Sequence, residues 1–332
     1  MSNEQKYEVQ PLTNNLYKIF QGVYNDFKSK AKSDYMFELR PLEYDEFIES
    51  VNKNYMKGIV LLENHIPTAF LLYTSAISEG VELNLIHCLG DEDVITKRKL
   101  LVEKFLELTK KERKDKVVAY PMIGPQSDFA CDISFFGFKF VGLAVLRFLF
   151  NTQTSENILR SMNLKELEDC YTIQKWEDVY FEDVVRIIHS TFKTASDALF
   201  DPRYKSMDGT RDILDKIVQN IYGEFLKDAS YILLCNKRPC GVCLANINDT
   251  IANIPLVGIE KEHQGKGISK HLVKNTTETI LNWAKSGERN ITELNVTSET
   301  NNIPALKMYR HTGFKEDYTY PQAYLPVSHF NR

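Results

Sequence analysis

The hexapeptide Gln264-Gly265-Lys266-Gly267-Ile268-Ser269 follows an apolar run, Ile254–Ile259, and precedes an amphipathic stretch that reads as a helix through Ala284. Glycines at 265 and 267 remove Cβ atoms where strand turns into helix, so a ligand phosphate can approach the backbone closely. The first amides of a helix lack partners within it, and the helix dipole places partial positive charge there. Together these features form an anion cradle, better suited to a pyrophosphate than to a single carboxylate. Ser269 adds a hydroxyl donor, and Lys266 and Lys270 add positive charge. A lone GxG is otherwise a plain glycine-rich turn. Gly258, inside the preceding strand, shifts the reading toward a ligand, because glycine there weakens a strand and marks a bulge or a close approach. Further along, Asn302, Ala305, Tyr309 and Gly313-Phe314 form a second group of spaced residues.

The elements that position these residues occur twice. Ile59-Val60-Leu61-Leu62-Glu63-Asn64-His65-Ile66-Pro67 resembles Tyr231-Ile232-Leu233-Leu234-Cys235-Asn236-Lys237-Arg238-Pro239. Each copy reads as strand, Asn-x-x-Pro turn and strand, a hairpin signal. A third strand follows, at about 81–88 and 251–259. Then come an amphipathic helix carrying Leu101-Val102 or Leu272-Val273, a short strand at 116–120 or 291–297, and a short helix ending in Gly137-Phe138 or Gly313-Phe314. A last strand follows each, at 139–150 and 315–320. Two helices are expected before each hairpin, at about 16–30 and 44–52, then 182–193 and 210–226. Strands interleaved with helices give an α/β (α+β) mixed sheet flanked by helices, formed twice. The expected division is a first domain at 1–151, a polar linker at 152–169 with a helix, and a second domain at 170–332.

Gln264-x-x-Gly267-x-Ser269 resembles the Gln/Arg-x-x-Gly-x-Gly/Ala signature of the GNAT superfamily of N-acetyltransferases. Asn302-Ile303-Pro304-Ala305-Leu306-Lys307-Met308-Tyr309-Arg310-His311-Thr312-Gly313-Phe314 resembles that family's second signature, with Asn, Ala, Tyr and Gly-Phe in register. Ser269 departs from the pattern, but serine is small enough to leave the cradle intact. The resemblance spans about residues 170–325 and implies a tandem GNAT fold with a degenerate first copy. It also implies acetyl-CoA as co-substrate, no metal, and transfer of an acetyl group to a primary amine of a small molecule or peptide. In that reading the amides of Gly265, Lys266, Gly267, Ile268 and Ser269 hold the pyrophosphate behind Gln264. Leu256, Val257, Gly258 and Ile259 pair with the pantetheine amides as an added strand would. An amide at Val257 or Gly258 polarises the thioester carbonyl, and Asn302 hydrogen-bonds the pantetheine arm. Tyr309 protonates the departing thiolate, since a phenol with pKa ~10 is protonated at neutral pH. The base stays open among Glu260, Glu262, His263, Glu299 and a water chain. Asp197, Asp201 and Asp208 are either partners for a cationic amine or a solvated loop.

The first copy has no such chemistry. Aligned through Leu101-Val102, the cradle falls on Asp93-Val94-Ile95-Thr96-Lys97-Arg98, where both glycines are lost and carboxylates repel a pyrophosphate. Tyr309 falls on Ile133 and Asn302 on Gln126. The expectation is a copy without cofactor that supports the second or shapes its acceptor pocket. Few residues remain after Gly313-Phe314, and Pro321 and Pro326 interrupt them. Each domain's last strand is therefore expected to pair in the other domain, as a tandem protein would allow.

Composition bounds the alternatives. A chain of 332 residues suits two domains, and its 43% hydrophobic content supplies two cores without disulfide staples. Net charge of −4 argues against nucleic acid as the main partner. Cys240 and Cys243 form a CxxC with no second pair nearby to complete a zinc site. All six cysteines read as buried thiols of a reducing compartment. Met1–Lys6 carries no apolar signal region, and no apolar run reaches the ~18 residues of a membrane span. The expectation is a cytoplasmic protein without membrane contact, a monomeric pseudo-dimer or a weak homodimer. The alternatives to an acetyltransferase are a non-catalytic CoA-binding regulator or scaffold, and a transferase with a larger acyl donor.

Overall fold

The two Asn-x-x-Pro segments close hairpins of one geometry. Asn64 and His65 (φ 51° and 66°) and Asn236 and Lys237 (φ 49° and 68°) are paired left-handed residues at the tips of two-residue loops. This is the primed turn whose twist matches that of the flanking strands, and asparagine tolerates its first position. The computed structural model describes residues 6–35, 41–75, 80–122, 124, 126–150 and 153–327. The N-terminal Met1–Gln5 and the 151/152 boundary lie outside them.

In chain order, the first half folds as β1 (Tyr7–Pro11), α1 (Tyr17–Tyr35), α2 (Tyr44–Asn52), β2 (Lys57–Glu63), β3 (Ile66–Thr74), β4 (Gly80–Cys88), α3 (Val94–Leu108), β5 (Val117–Pro121), α4 (Ala130–Ser134) and β6 (Lys139–Leu149). After α5 (Gln153–Ser161) come β7 (Tyr171–Lys175), α6 (Phe181–Phe192), α7 (Asp197–Phe200), α8 (Met207–Val218), β8 (Glu224–Phe225), β9 (Tyr231–Cys235), β10 (Arg238–Asn248), β11 (Ile251–Ile259), α9 (Ile268–Ser286), β12 (Glu293–Glu299), α10 (Ile303–His311) and β13 (Lys315–Leu325). The repeat is thus strand, helices, hairpin, strand, helix, strand, helix and strand in both halves. Three sequence expectations shift. The helix before β9 ends at Val218 rather than reaching 226, the linker helix ends at Ser161, and the last strand runs through Pro321 to Leu325.

The chain forms two compact units, residues 1–141 with 199–201 and 320–332, and residues 142–198 with 202–319. The first has strand order β1-β2-β3-β4-β5 and is closed by the end of β13, with Gln322–Leu325 antiparallel to Val118–Pro121. The second has the order β6-β12-β11-β10-β9-β7, with β8 on β10 and with Leu143–Leu149 of β6 antiparallel to Glu293–Glu299. Each unit's sheet therefore contains a strand contributed by the other half of the chain. Ala323 is fully buried in the first unit's core, and Phe148 is buried in the second's. Pro321 fits because its carbonyl accepts from the Met122 amide while its missing N–H is not required there.

Both units share a register shift within each hairpin and another on the strand that follows it. Leu244 and Asn246 of β10 face Leu256 and Asn253 of β11, so β11 carries an extra residue at Ile254–Pro255. In the first unit, Leu72 and Tyr73 face Leu85 and Leu83, so the extra residue is Asn84. A bulge shifts the inward–outward alternation that follows it. Accordingly, Ala252 and Ile254 lie with Val257 and Ile259 in the core under α9, while Leu256 joins the core under α6 and α8.

The strand exchange makes a prediction. Cutting the chain at 151/152 leaves β5 without Gln322–Leu325 in one fragment and β12 without β6 in the other. Each fragment expressed alone is expected to aggregate or to melt without cooperativity, and co-expression of both to restore one sharp transition in calorimetry. Two independently stable fragments would overturn the exchange.

Candidate donor-binding site

β11 and β12 run parallel and pair over Ile251–Asn253 and Glu293–Asn295. Both strands then continue, to Ile259 and to Glu299, with no further pairing between them among the described residues. The bulge at Ile254–Pro255 stands where they part. This leaves backbone donors and acceptors of Ile254–Ile259 along a free edge, the kind to which an extended amide chain can add. On its other edge the same stretch is pinned to β10 through Gly241↔Ile259 and Val242↔Gly258.

The free edge leads into the glycine turn. Gly265 and Gly267 both have φ of +78°, and open space surrounds the point where a Cβ would stand on either. Conformation therefore demands glycine here, since a left-handed residue with a Cβ costs about 1–2 kcal/mol. Gly267 caps α9, and Ile268, the first residue of that helix, is 3% exposed and anchored in the core. That anchor fixes the helix N-terminus behind the turn, and burial of such a side chain contributes about 1.5–3 kcal/mol. The Gln264 Nε2 donates to the carbonyl of Ile259 at 2.8 Å, tying the turn back to the strand. Ser269 follows, half-buried. The turn Gln264–Ser269 therefore follows directly on the free edge of Leu256–Ile259.

Gly258 faces α6. A Cβ there would stand 3.4 Å from Ile187 Cγ2 and from Thr191 Oγ1. Leu256 is buried beside it, and Val257 points to the opposite core. A cleft of about 1120 Å³ adjoins this end of β11, with Arg186, Thr191, Arg238, Glu260, Lys261 and Gln264 among its walls.

Asn302 caps α10, its Oδ1 accepting from the Ala305 amide at 3.3 Å, and Pro304 occupies the first turn where its missing N–H costs nothing. The capping bond uses the Asn302 oxygen, so any donor to a ligand is its amide nitrogen. Leu306, Met308 and Tyr309 form the buried face of α10. Gly313 ends the segment at φ +89°, where a Cβ would clash with Ile158 and Phe148, and Phe314 packs on Tyr309 at 5.7 Å between ring centroids. Burial raises the Tyr309 phenol well above its ordinary pKa, and Cys243 and Asp197 push the same way. Cys243 sits opposite Val257 in the β10–β11 register, so the phenol lies in the neighbourhood of the free stretch of β11. Burial also pushes the Cys243 thiol up to about 12, which keeps it neutral in the core.

The acidic residues near the strand differ in what holds them. Glu260 is ion-paired with Arg186, which also binds Asp183 and the carbonyl of Pro239. His263 is hydrogen-bonded to Tyr171 at 2.8 Å. Glu262 is exposed and Glu299 half-buried. Asp208 is 97% exposed and paired with Arg211, whereas Asp197 is half-buried and acts electrostatically on Tyr309. Sequence reasoning missed Thr191, which carries no motif, and Tyr171. For Tyr171 a signal existed, because a tyrosine opens both β1 and β7.

The matching region of the first unit is filled. The connection from β4 to α3 is Leu89–Asp93, shorter than Glu260–Gly267, and α3 begins one turn earlier relative to the matched Leu101-Val102 and Leu272-Val273. Val94–Arg98 are therefore helical where the second unit has its turn. Asp93 takes the left-handed capping position (φ 53°) and is held by Lys6 at 2.6 Å and Tyr7 at 2.7 Å. His87 stands at the position of Gly258 and is 2% exposed, bonded to Tyr35 at 2.8 Å and to Asp26 at 2.9 Å. Arg98 is buried and paired with Asp128, Gln126 is buried against Tyr120, and Ile133 is a core residue.

Four of the cysteines fit the buried reading less well than Cys240 and Cys243. Cys88, Cys170 and Cys235 are half-buried, and Cys131 is exposed. Among the described residues, no group of three or more His, Cys, Asp or Glu is arranged to hold a metal, and no helix is long and apolar enough to cross a membrane.

Residues 227–316 match the acetyltransferase (GNAT) domain model. No curated protein matches the chain by sequence. Among solved structures, a GCN5-related N-acetyltransferase from Sphaerobacter thermophilus is similar over 98% of this chain and 97% of its own, at 10% identity and a TM-score of 0.66. A tandem GNAT protein from the clavulanic acid biosynthesis pathway is similar over 98% of this chain and 100% of its own, at 11% identity and a TM-score of 0.57. At such identities the likeness concerns the fold. The acetyltransferase (GNAT) match thus covers residues 227–316, and over nearly its whole length the chain shares the fold of GNAT proteins, a tandem one among them.

Proposed function

We propose that the second unit transfers an acetyl group from acetyl-CoA to a primary amine of a small molecule or peptide, by direct attack while both substrates are bound. The carrying observation is the free edge of Leu256–Ile259 running into two left-handed glycines beneath the N-terminus of α9. That surface offers strand-like pairing for the two amides of a pantetheine arm and then a row of backbone donors for a pyrophosphate.

The roles of the chain's own residues follow. The amides of Gly265–Ser269 hold the pyrophosphate, and Gln264 keeps the turn against the strand. The backbone amide at Val257 or Gly258 donates to the thioester oxygen as negative charge develops on it. The amine nitrogen bonds to the acyl carbon, the carbon–sulfur bond breaks, and the sulfur takes the proton held by Tyr309. Burial keeps that phenol protonated. The proton lost by the amine leaves through water or a carboxylate. Asp197 suits the approach of a cationic amine better than Asp208 does, because it is half-buried and electrostatically close to Tyr309. Glu260 is engaged by Arg186. In this reading the first unit binds no donor, because a helical turn, Asp93 and His87 occupy the corresponding places.

Calorimetric titration of acetyl-CoA is expected to give one equivalent bound per chain. Gly267→Glu should abolish binding, since it combines a left-handed β-carbon with a carboxylate beside the pyrophosphate. Two equivalents would restore a donor site to the first unit, and none would remove the donor reading. Tyr309→Phe is expected to lower kcat by roughly 10²–10³-fold with little change in the KM for acetyl-CoA, measured as thiol release with a panel of amines. The general acid must be protonated, and the Tyr309 pKa is raised. The wild-type rate should therefore show no loss from this group as pH rises to the ordinary phenol value of ~10. A decline in kcat near that value that is absent in Tyr309→Phe would contradict the burial argument.

A further inference from the structure

Tyr171 opens β7, at the edge of the second unit's sheet, and is 6% exposed. Its hydroxyl is within 2.8 Å of His263 Nδ1 and accepts from the Lys266 Nζ at 3.0 Å. Lysine can only donate, so the phenolic proton is free for His263 when its Nδ1 is unprotonated. The ring adds two further contacts. Lys266 Nζ lies 5.4 Å from its centroid, and His263 meets it edge-on at 5.6 Å. One side chain thus grips the turn at a residue before Gly265 and at the residue between the two glycines. Nothing in the transfer chemistry uses this grip, and Tyr171 belongs to neither motif.

The first unit contains the same device with a different load. Tyr7 opens β1, stands opposite Glu63 as Tyr171 stands opposite Cys235, and donates to Asp93 at 2.7 Å while Lys6 lies over its ring at 4.9 Å. In both units the tyrosine of the first strand reaches the connection before the central helix. In the first it holds a carboxylate at the helix cap, and in the second it holds an ammonium group between two glycines. An ammonium group has four single bonds over which to wander, and holding it on a phenol fixes its charge beside the turn at the cost of that freedom before any ligand arrives.

We infer that Tyr171 is the positioning residue of the donor cradle, acting through Lys266 and His263 to pre-set the turn for the pyrophosphate. This rests on the donor reading given above. Tyr171 does not touch the reacting atoms, so its effect falls on binding of the phosphorylated part of the donor and spares the acyl end.

The test compares acetyl-CoA with S-acetyl-pantetheine, which keeps the thioester and arm but lacks the pyrophosphate. Both are titrated into the full chain, by calorimetry and by ligand-observed NMR. Tyr171→Phe retains the ring and removes the hydroxyl. It is expected to weaken acetyl-CoA roughly five- to tenfold, the size of effect that loss of one ordinary hydrogen bond gives. Binding of S-acetyl-pantetheine should stay within about twofold of wild type, a margin of ~0.4 kcal/mol. Tyr7→Phe, which cuts the matching grip in the first unit, should leave both unchanged. In a Lys266→Ala background, Tyr171→Phe should add little, because the two act as one unit. Unchanged acetyl-CoA affinity in Tyr171→Phe would overturn the inference alone, as would equal weakening of both donors, which marks a general loosening of the fold. Wild-type protein that binds neither donor would overturn the donor reading and this inference with it.

Discussion

The extra residue at Ile254–Pro255 is the constraint on which the second unit's site depends. Proline has no amide to give to a ladder, and the bulge it occupies reverses which side chains face which core. Upstream, β11 is an ordinary central strand, paired on both edges. Downstream, Leu256 and Gly258 turn toward α6, Val257 and Ile259 turn toward α9, and β12 has moved away. A free backbone edge inside a sheet is costly unless something pairs with it or solvent reaches it. The same geometry recurs at Asn84, so the parted strands belong to the scaffold that both units share.

The two units differ in what fills the gap. In the second unit the gap is flanked by glycine at 258 and ends on glycines at 265 and 267. In the first, His87 reaches across to Tyr35 and Asp26, an additional helical turn takes the place of the cradle, and Asp93 supplies the capping residue. Burial lowers the His87 pKa, and the Asp26 carboxylate opposes that effect without reversing it. A neutral imidazole fits a position walled by Phe27 and Phe70. The first unit thus has satisfied side-chain hydrogen bonds where the second has open backbone.

Strand exchange links the fate of the two units. β6 is read early in the chain and completes the later sheet, and the end of β13 completes the earlier one. Arg147 on β6 pairs with Glu293 on β12 and with Asp317 on β13, adding polar ties to the ladder. A unit whose closing strand comes from the other half cannot finish folding until both halves exist. The exchange therefore makes each half necessary to the fold of the other.

Much of this was legible in the residues. The Asn-x-x-Pro turns fixed both hairpins, because paired left-handed positions tolerate few residue types. The offset between the copies gave the element order. The glycines at 265 and 267 marked a strand-to-helix turn open to a ligand, and the spacing of Asn302, Tyr309 and Gly313-Phe314 marked a second group of residues. The sequence could not assign the bulge, because an extra residue in a strand leaves no trace in composition. It also could not show that Asn302 spends its oxygen on a helix cap, that Glu260 is taken by Arg186, or that Tyr171 reaches Lys266 across 95 positions. Those facts depend on which side chains the folded sheet brings within hydrogen-bond distance, and only the tertiary structure decides that.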